Sequence, residues 1–287
     1  MHLLTGLCVS QLSVLLHQYA PQNGWGTLIT AAFGAFTGGW IASRAFTKRA
    51  VVAELNALSA AQTVCFAICN RYVGLKRQLV LPMKQRFDKV QSEHKKFLNT
   101  PKATHGAFMF AADFQTLMPP TTPAETLQKM IFEKTSIRGR ALVAVVDLVA
   151  IIESLRLAIE ARTELSSEIR NRKDKTDADI AALYLGIKTS DGHIDERYRT
   201  NLEAIYLQTD DCIFFSRILA LDLVKYGNAL RLRYLWRYWL WLPKMQDADW
   251  STAEASGLLP PNSQYDSWLK GFRTSTMWGR FKARITP

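Results

Sequence analysis

Hydrophobic and polar positions divide this chain into stretches of different character. Gly24 to Ser43, GWGTLITAAFGAFTGGWIAS, runs for 20 residues without a charged side chain. At about 1.5 Å per helical residue it covers the roughly 30 Å hydrocarbon core of a bilayer, which predicts a transmembrane helix. The pattern stays helical from Arg44 to Leu81. Alternate steps of three and four land on Val51, Leu55, Leu58, Gln62, Cys65, Cys69, Tyr72, Lys76 and Leu79, of which seven of nine are apolar or aromatic. Pro82 removes a helical N–H and restricts Leu81, so a kink or break is expected there. Met83 to Leu98 reads as a strongly basic helix.

Pro101 to Pro120 reads as a loop around Gly106, with an apolar patch of Phe108, Met109, Phe110 and Phe114 that has to pack somewhere. Thr122-Pro123-Ala124-Glu125 then predicts a helix start, with Thr122 as N-cap, Pro123 at the first helical position and Glu125 closing a capping box. A break is expected at Gly139. Ala141 to Ile152, ALVAVVDLVAII, is apolar except for Asp147 and at 12 residues is too short to span a bilayer, so it reads as a central bundle helix continuing in charged form to Lys173. A short helix from Thr176 to Ile187, a turn at Ser190 to His193 and a long helix from about Ile194 to Arg233 follow. No useful alternating pattern indicates a strand. The expected fold is all-α: an anchor over 1–43, basic juxtamembrane helices over 44–100, a bundle of long antiparallel helices over 101–233, and an aromatic and basic tail over 234–287.

Arg44, Lys48 and Arg49 follow the uncharged run, a positive-inside signal that puts the remainder of the chain in the cytoplasm, and Trp25 and Trp40 stand where aromatic rings favour the headgroup layer. Gly26, Thr30, Gly34, Gly38 and Ala42 recur every fourth residue, with Ala31, Ala35, Gly39 and Ser43 as a second small row beside them. Small rows let helix backbones approach closely in lipid, so this face is expected to pack against another helix and to make the protein an oligomer. Met1 to Ala20 is uncharged but diluted by Gln11, His17 and Gln18. It reads as a first span joined through Pro21 to Gly24 in a two-helix hairpin, with an interfacial amphipathic helix as the other reading.

The 287 residues are 48% hydrophobic and carry a net charge of +11, unevenly spread. Residues 44–102 hold 12 basic and 3 acidic side chains, 104–225 hold 15 and 18, and 226–287 hold 9 and 4. The first block suits the anionic cytoplasmic leaflet, the preferred reading, or nucleic-acid phosphates. In the tail, Trp268, Phe272, Trp278 and Phe281 alternate with Arg273 and Arg280, a pattern suited to a partner: lipid headgroups, stacked single-stranded nucleic acid or a protein groove. The same rings could instead cover the helical core.

Chemistry-bearing residues are sparse. Cys65 and Cys69 lie one turn apart without a His or Cys pair to complete a zinc set, so buried reduced thiols and no metal are expected. His193, beside Asp191 and Asp195, reads as a turn leading to an acidic helix start rather than a catalytic group. Asp147, Asp210 and Asp211 are expected to pair with arginines such as Arg217 or Arg156. No phosphate-binding loop, nucleophile elbow or zinc-protease pair occurs, and neither an enzyme nor a cofactor is expected.

The uncharged Met1 to Ser43 leader followed by a helical remainder resembles the small two-span membrane effectors of bacterial antiphage systems, including those that accompany retrons. That resemblance implies an inner-membrane protein whose cytoplasmic domain is held inactive by a partner, a reverse transcriptase with its nucleic acid, until release lets the hairpins associate and damage the membrane. A membrane-tethered adaptor or scaffold, and a nucleic-acid-binding protein at the membrane, are the alternatives.

Overall fold

The structure is a computed structural model that describes residues 25–99, 108, 110–171, 176–238 and 242–272. Side-chain surroundings at 25–27, 237 and 238 are outside that description. The chain is all-helical: a long, apolar N-terminal helix is followed by further helices, and the described residues hold no strand, only an isolated Lys188–Ile194 bridge. The helices are α1 (Trp25–Leu75), α2 (Leu81–Leu98), α3 (Ala124–Lys134), α4 (Arg140–Asn171), α5 (Asp177–Leu185), α6 (Arg197–Tyr238), α7 (Ser251–Ala255) and α8 (Asp266–Gly271). They fall into two compact units, Met1–Ala53 with Leu232–Leu242, and Glu54–Arg231 with Pro243–Pro287.

In the second unit α1 buries Leu55, Leu58, Cys65, Cys69 and Tyr72, as the three-and-four stepping predicts. The stepping then fails by one residue. Leu79 is 40% exposed, whereas Val80 is fully buried and begins a new series at Met83, Phe87 and Val90. The cause is a π-helical turn at Lys76–Val80, in which the Leu81 N–H reaches back five residues to the Lys76 carbonyl. A π turn inserts one extra residue. It also lets Pro82, at the first turn of α2, dispense with its missing N–H. The break expected at Pro82 is therefore replaced by a change of register in a continuous helical run from Leu28 to Leu98.

Two other helix starts differ from expectation. Pro123 occupies the N-cap of α3, and no side chain caps that end, so the capping box expected at Thr122 does not form. A complete box forms at α5: Thr176 Oγ1 accepts from the Asp179 N–H, and the Asp179 carboxylate accepts from the Thr176 N–H. α4 starts directly after Gly139, whose φ of 71° is the left-handed conformation glycine tolerates, so the break expected there occurs. The long final helix begins at Arg197 rather than near Ile194, because Thr189 to Ile194 closes a turn: the Thr189 N–H donates to the His193 carbonyl at 2.9 Å.

The core is filled by Leu127 and Ile131 of α3, Leu148, Leu155 and Ile159 of α4, and Leu202, Ile205, Ile213 and Leu223 of α6. Arg162 is also wholly buried, in the stripe formed by Leu155, Ile159 and Ile169. Its guanidinium donates to the carbonyls of Gln115 (2.7 Å) and Asp113 (2.9 Å) and to the Tyr198 hydroxyl (3.1 Å). Tyr198 in turn donates to the Asp113 carbonyl at 2.6 Å. The non-helical segment before α3 is thereby tied to α4 and α6. Around it Phe114 stands edge-on to Tyr184 and Tyr198, while Phe87 and Phe110 also meet Tyr184. Phe110 and Phe114 of the apolar patch noted in the sequence pack here.

Candidate functional site

The first unit presents the feature most unlike an ordinary globular surface. Along α1, Leu28, Ile29, Phe33, Phe36, Trp40, Ile41 and Phe46 are 57–76% exposed. Ile29, Phe33, Phe36 and Trp40 fall within about 60° of arc and Leu28, Ile41 and Phe46 widen it to about 220°, which leaves Gly34 and Gly38 on the remaining arc. The polar groups in this stretch are satisfied within the helix: Thr37 donates to the Phe33 carbonyl at 2.8 Å and Thr47 to the Ser43 carbonyl at 2.9 Å. Around Gly34, Gly38 and Gly39 there is open space, with no atom within 4 Å of where a Cβ would lie. Thr30 and Ala42 lie on the same helix, as does Gly26. Arg44 follows and stacks over the Trp40 ring at 5.4 Å; Lys48 and Arg49 lie one turn on. By length and composition this is the one helix among the described residues able to cross a membrane. Leu232 and Trp236, in the same unit, are exposed as well. The first span of the expected hairpin lies outside the described residues.

The remaining basic block has a different environment. Lys76 meets Asp210 at 2.6 Å with both side chains under 9% exposed, and also donates to the Leu258 carbonyl at 3.0 Å. Lys84 pairs with Asp88 and Glu203, Arg86 with Asp113, and Arg71 donates to the Thr121 carbonyl. The acid-rich middle of the chain thus supplies partners for Lys76, Lys84 and Arg86. Burial pushes the Asp210 carboxyl up from its ordinary pKa, opposed by the Lys76 ammonium.

The expected arginine pairings of the lone acids are corrected. Arg156 binds Glu153 and Glu160, and Arg217 binds Glu254. Asp211 accepts from the Tyr265 hydroxyl at 2.8 Å, and Asp147 accepts from Trp268 Nε1 at 2.9 Å. These contacts fasten the segment 243–272 across the helices of the second unit. Further fastenings are Gln62 to the Gln246 carbonyl (2.7 Å), two bonds between Asn228 and the Met245 backbone, and Phe66 edge-on to Trp250. Trp268 also lies 5.0 Å from the Phe215 ring and 4.7 Å from Phe272. Both expected partner-binding rings that the structure describes are thus half-buried within the unit. Arg273, Trp278, Arg280 and Phe281 lie outside the described residues.

Cys65, Cys69 and Cys212 are buried thiols, and burial raises each pKa, that of Cys69 to about 11. Among the described residues no cluster of His, Cys, Asp and Glu is arranged to hold a metal. His193 is in the turn, where Asp191 accepts from the Thr189 hydroxyl and Asp195 pairs with Arg197 at 2.7 Å. Open grooves are present among the described residues of the second unit. One, of about 460 Å³, lies between residues 119–126 and the Val149, Ile152 and Arg156 side of α4; the other, of about 400 Å³, is lined by Arg138, Arg140, Lys225 and Phe272. No protein-family model, curated protein or solved structure matches the chain.

Proposed function

We propose that this protein is a membrane-anchored effector that acts without catalysing a reaction, with the N-terminal part of α1, to Ser43, as its bilayer-spanning element and the second unit as a cytoplasmic bundle. The observation that supports this reading is the exposure on one helix of seven large apolar side chains between Leu28 and Phe46. In water each would forfeit roughly 1.5–3 kcal/mol of burial, whereas in hydrocarbon they are solvated and the helix satisfies its own backbone. Arg44, Lys48 and Arg49 then meet the anionic leaflet. The open face of Gly34, Gly38 and Gly39 is the one on which a second copy of the anchor would pack. Association through it disrupts the inner membrane once a partner releases the cytoplasmic unit; the antiphage resemblance implies a reverse-transcriptase ribonucleoprotein as that partner.

Expression of the full chain, with a membrane-potential dye and carbonate-washed fractionation, tests this. The protein should pellet with membranes and depolarise the cells, and Gly34→Leu with Gly38→Leu should keep it in the pellet while abolishing depolarisation. A soluble protein would dismiss the anchor. A membrane-bound but harmless one would dismiss the effector step and leave a tethered adaptor.

A further inference from the structure

The outward side of α4 carries an ordered row of side chains that nothing in the second unit covers. Val143, Val146, Ala150, Glu153, Leu157 and Glu160 follow one another at steps of three and four, and all six are exposed. Val143, Val146 and Leu157 are 37%, 44% and 52% exposed. Such spacing makes one seam along a helix, the kind of surface that a neighbouring segment covers. Val149, Ile152 and Arg156 run beside the seam and line the groove of about 460 Å³. The seam is also acidic. Arg156 pairs with Glu153 and Glu160 together, which leaves one negative charge in excess, and Glu164 a turn further on meets no cation among the described residues.

The C-terminal segment has the complementary pattern. Residues 273–287, RTSTMWGRFKARITP, carry four basic and no acidic side chains. Trp278, Phe281 and Ile285 stand at steps of three and four, the spacing of the α4 seam. The described residues end beside that helix: Trp268 Nε1 donates to the Asp147 carboxylate at 2.9 Å, and Phe272 lines a groove with Arg140 and Ala141 of the first turn of α4. The six residues from Phe272 to Trp278 span up to about 20 Å when extended, and Leu157 lies about 15 Å along the helix from Asp147. The seam is therefore within reach, and both parts belong to the same compact unit.

We propose that residues 273–287 dock on this seam of their own chain, with Trp278, Phe281 and Ile285 against Val146, Ala150 and Leu157, and with Arg280, Lys282 and Arg284 facing Glu153, Glu160 and Glu164. Two properties select this occupant. An apolar row alone would suit many partners, but a row edged by surplus carboxylates favours a cationic one, and the segment brings both rings and cations. Tethering also gives it an effective concentration on the order of millimolar, which a free partner of the same chemistry would have to match. The inference concerns the second unit alone and does not depend on the membrane reading.

Zero-length carbodiimide cross-linking of the full chain in a neutral detergent, read by peptide mass spectrometry, tests the assignment, because Lys282 is the only lysine in the segment. Lys282 should join Glu153, Glu160 or Glu164, and a mixture of isotope-labelled and unlabelled protein should give those products within single chains. Trp278→Ser with Phe281→Ser, which changes no residue of the bundle, should lower the yield about tenfold or more. Val146→Gln with Leu157→Gln, both at exposed positions, should do the same with an unchanged melting temperature. Cross-links from Lys282 only to other acids, or none at all, would overturn the docking. Undiminished yield in either variant would overturn the apolar match. Products that mostly join labelled to unlabelled chains would assign the seam to a second copy's segment and overturn the intramolecular contact.

Discussion

Arg162 allows a quantitative test of how the segment before α3 is held. The side chain is fully buried and its donors go to two carbonyls and a hydroxyl, with no carboxylate taking a bond from it. Hydrogen bonds to a charged group contribute roughly 1.5–3 kcal/mol each, so three amount to about 5–9 kcal/mol before the cost of desolvating the cation, itself several kcal/mol. The two terms nearly balance, so what replaces the arginine decides the outcome. Arg162→Ala leaves the Gln115 carbonyl without this donor and opens a cavity, and should cost about 3–5 kcal/mol. Arg162→Met keeps most of the volume and removes the buried charge with the bonds, and should cost only about 1–3 kcal/mol. The assay is chymotryptic cleavage after Phe110 or Phe114 of the full chain, together with hydrogen exchange over 110–120. A 3 kcal/mol loss lowers protection by about 150-fold if the segment opens locally. Wild-type protection in both variants would refute the claim that the guanidinium fastens the segment, and a more stable Arg162→Met would show that desolvation outweighs its bonds.

Lys76→Met strands the buried Asp210 carboxylate and should cost about 3–5 kcal/mol, while Lys76→Met with Asp210→Leu should recover most of it; a chemical melt of the two variants distinguishes them. A Cβ on Gly227 would overlap Met245 Sδ, so Gly227→Ala should stabilise a Met245→Ala background by up to about 1 kcal/mol through helix propensity yet gain less in the wild type; equal gains would remove the steric account. Asp179 accepts from the Ser190 hydroxyl and N–H and from Thr176, which hold its pKa well below the ordinary carboxylate range. Its folded pKa is depressed, so its contribution is complete above the unfolded value near 3.9 and lost as pH falls towards the folded one. Exchange protection of the Ser190 amide should drop below about pH 4 in the wild type, and a flat profile that matches Asp179→Asn would contradict this.

The uncharged run, the Gly139 break and the helical class were legible in the sequence because each depends on local composition or period. The change of register at Lys76–Val80 was not, because a π turn leaves the same apolar residues in place and alters only which are in phase; Leu79 and Val80 are equally good core residues until the turn chooses between them. Thr122 and Thr176 each offer a hydroxyl and an acid three residues on, but the reciprocal bonds form only at Thr176, because α3 starts one residue late for Thr122, with Pro123 at its N-cap. Arg162 did carry a signal: it falls in step with Leu155, Ile159 and Ile169, where a charged residue must be buried or the stripe must end. Charge counting located the basic and acidic blocks but could not pair Lys76 with Asp210, whose contact depends on how α6 meets the π turn.

That ion pair also sets a timetable for biosynthesis. Lys76 and Asp210 are 134 positions apart, and at about 5–20 residues per second the ribosome needs roughly 7–27 s to deliver the acid after the base. Asp113 reaches Arg86 sooner, and Glu203 reaches Lys84 almost as late as Asp210 reaches Lys76. Throughout that interval the nascent chain displays a cationic arm directly behind the uncharged stretch. The charges of Lys76, Lys84 and Arg86 are matched only as the later segments arrive, so the proposed membrane anchor would be followed by its most cationic arm before the second unit is complete.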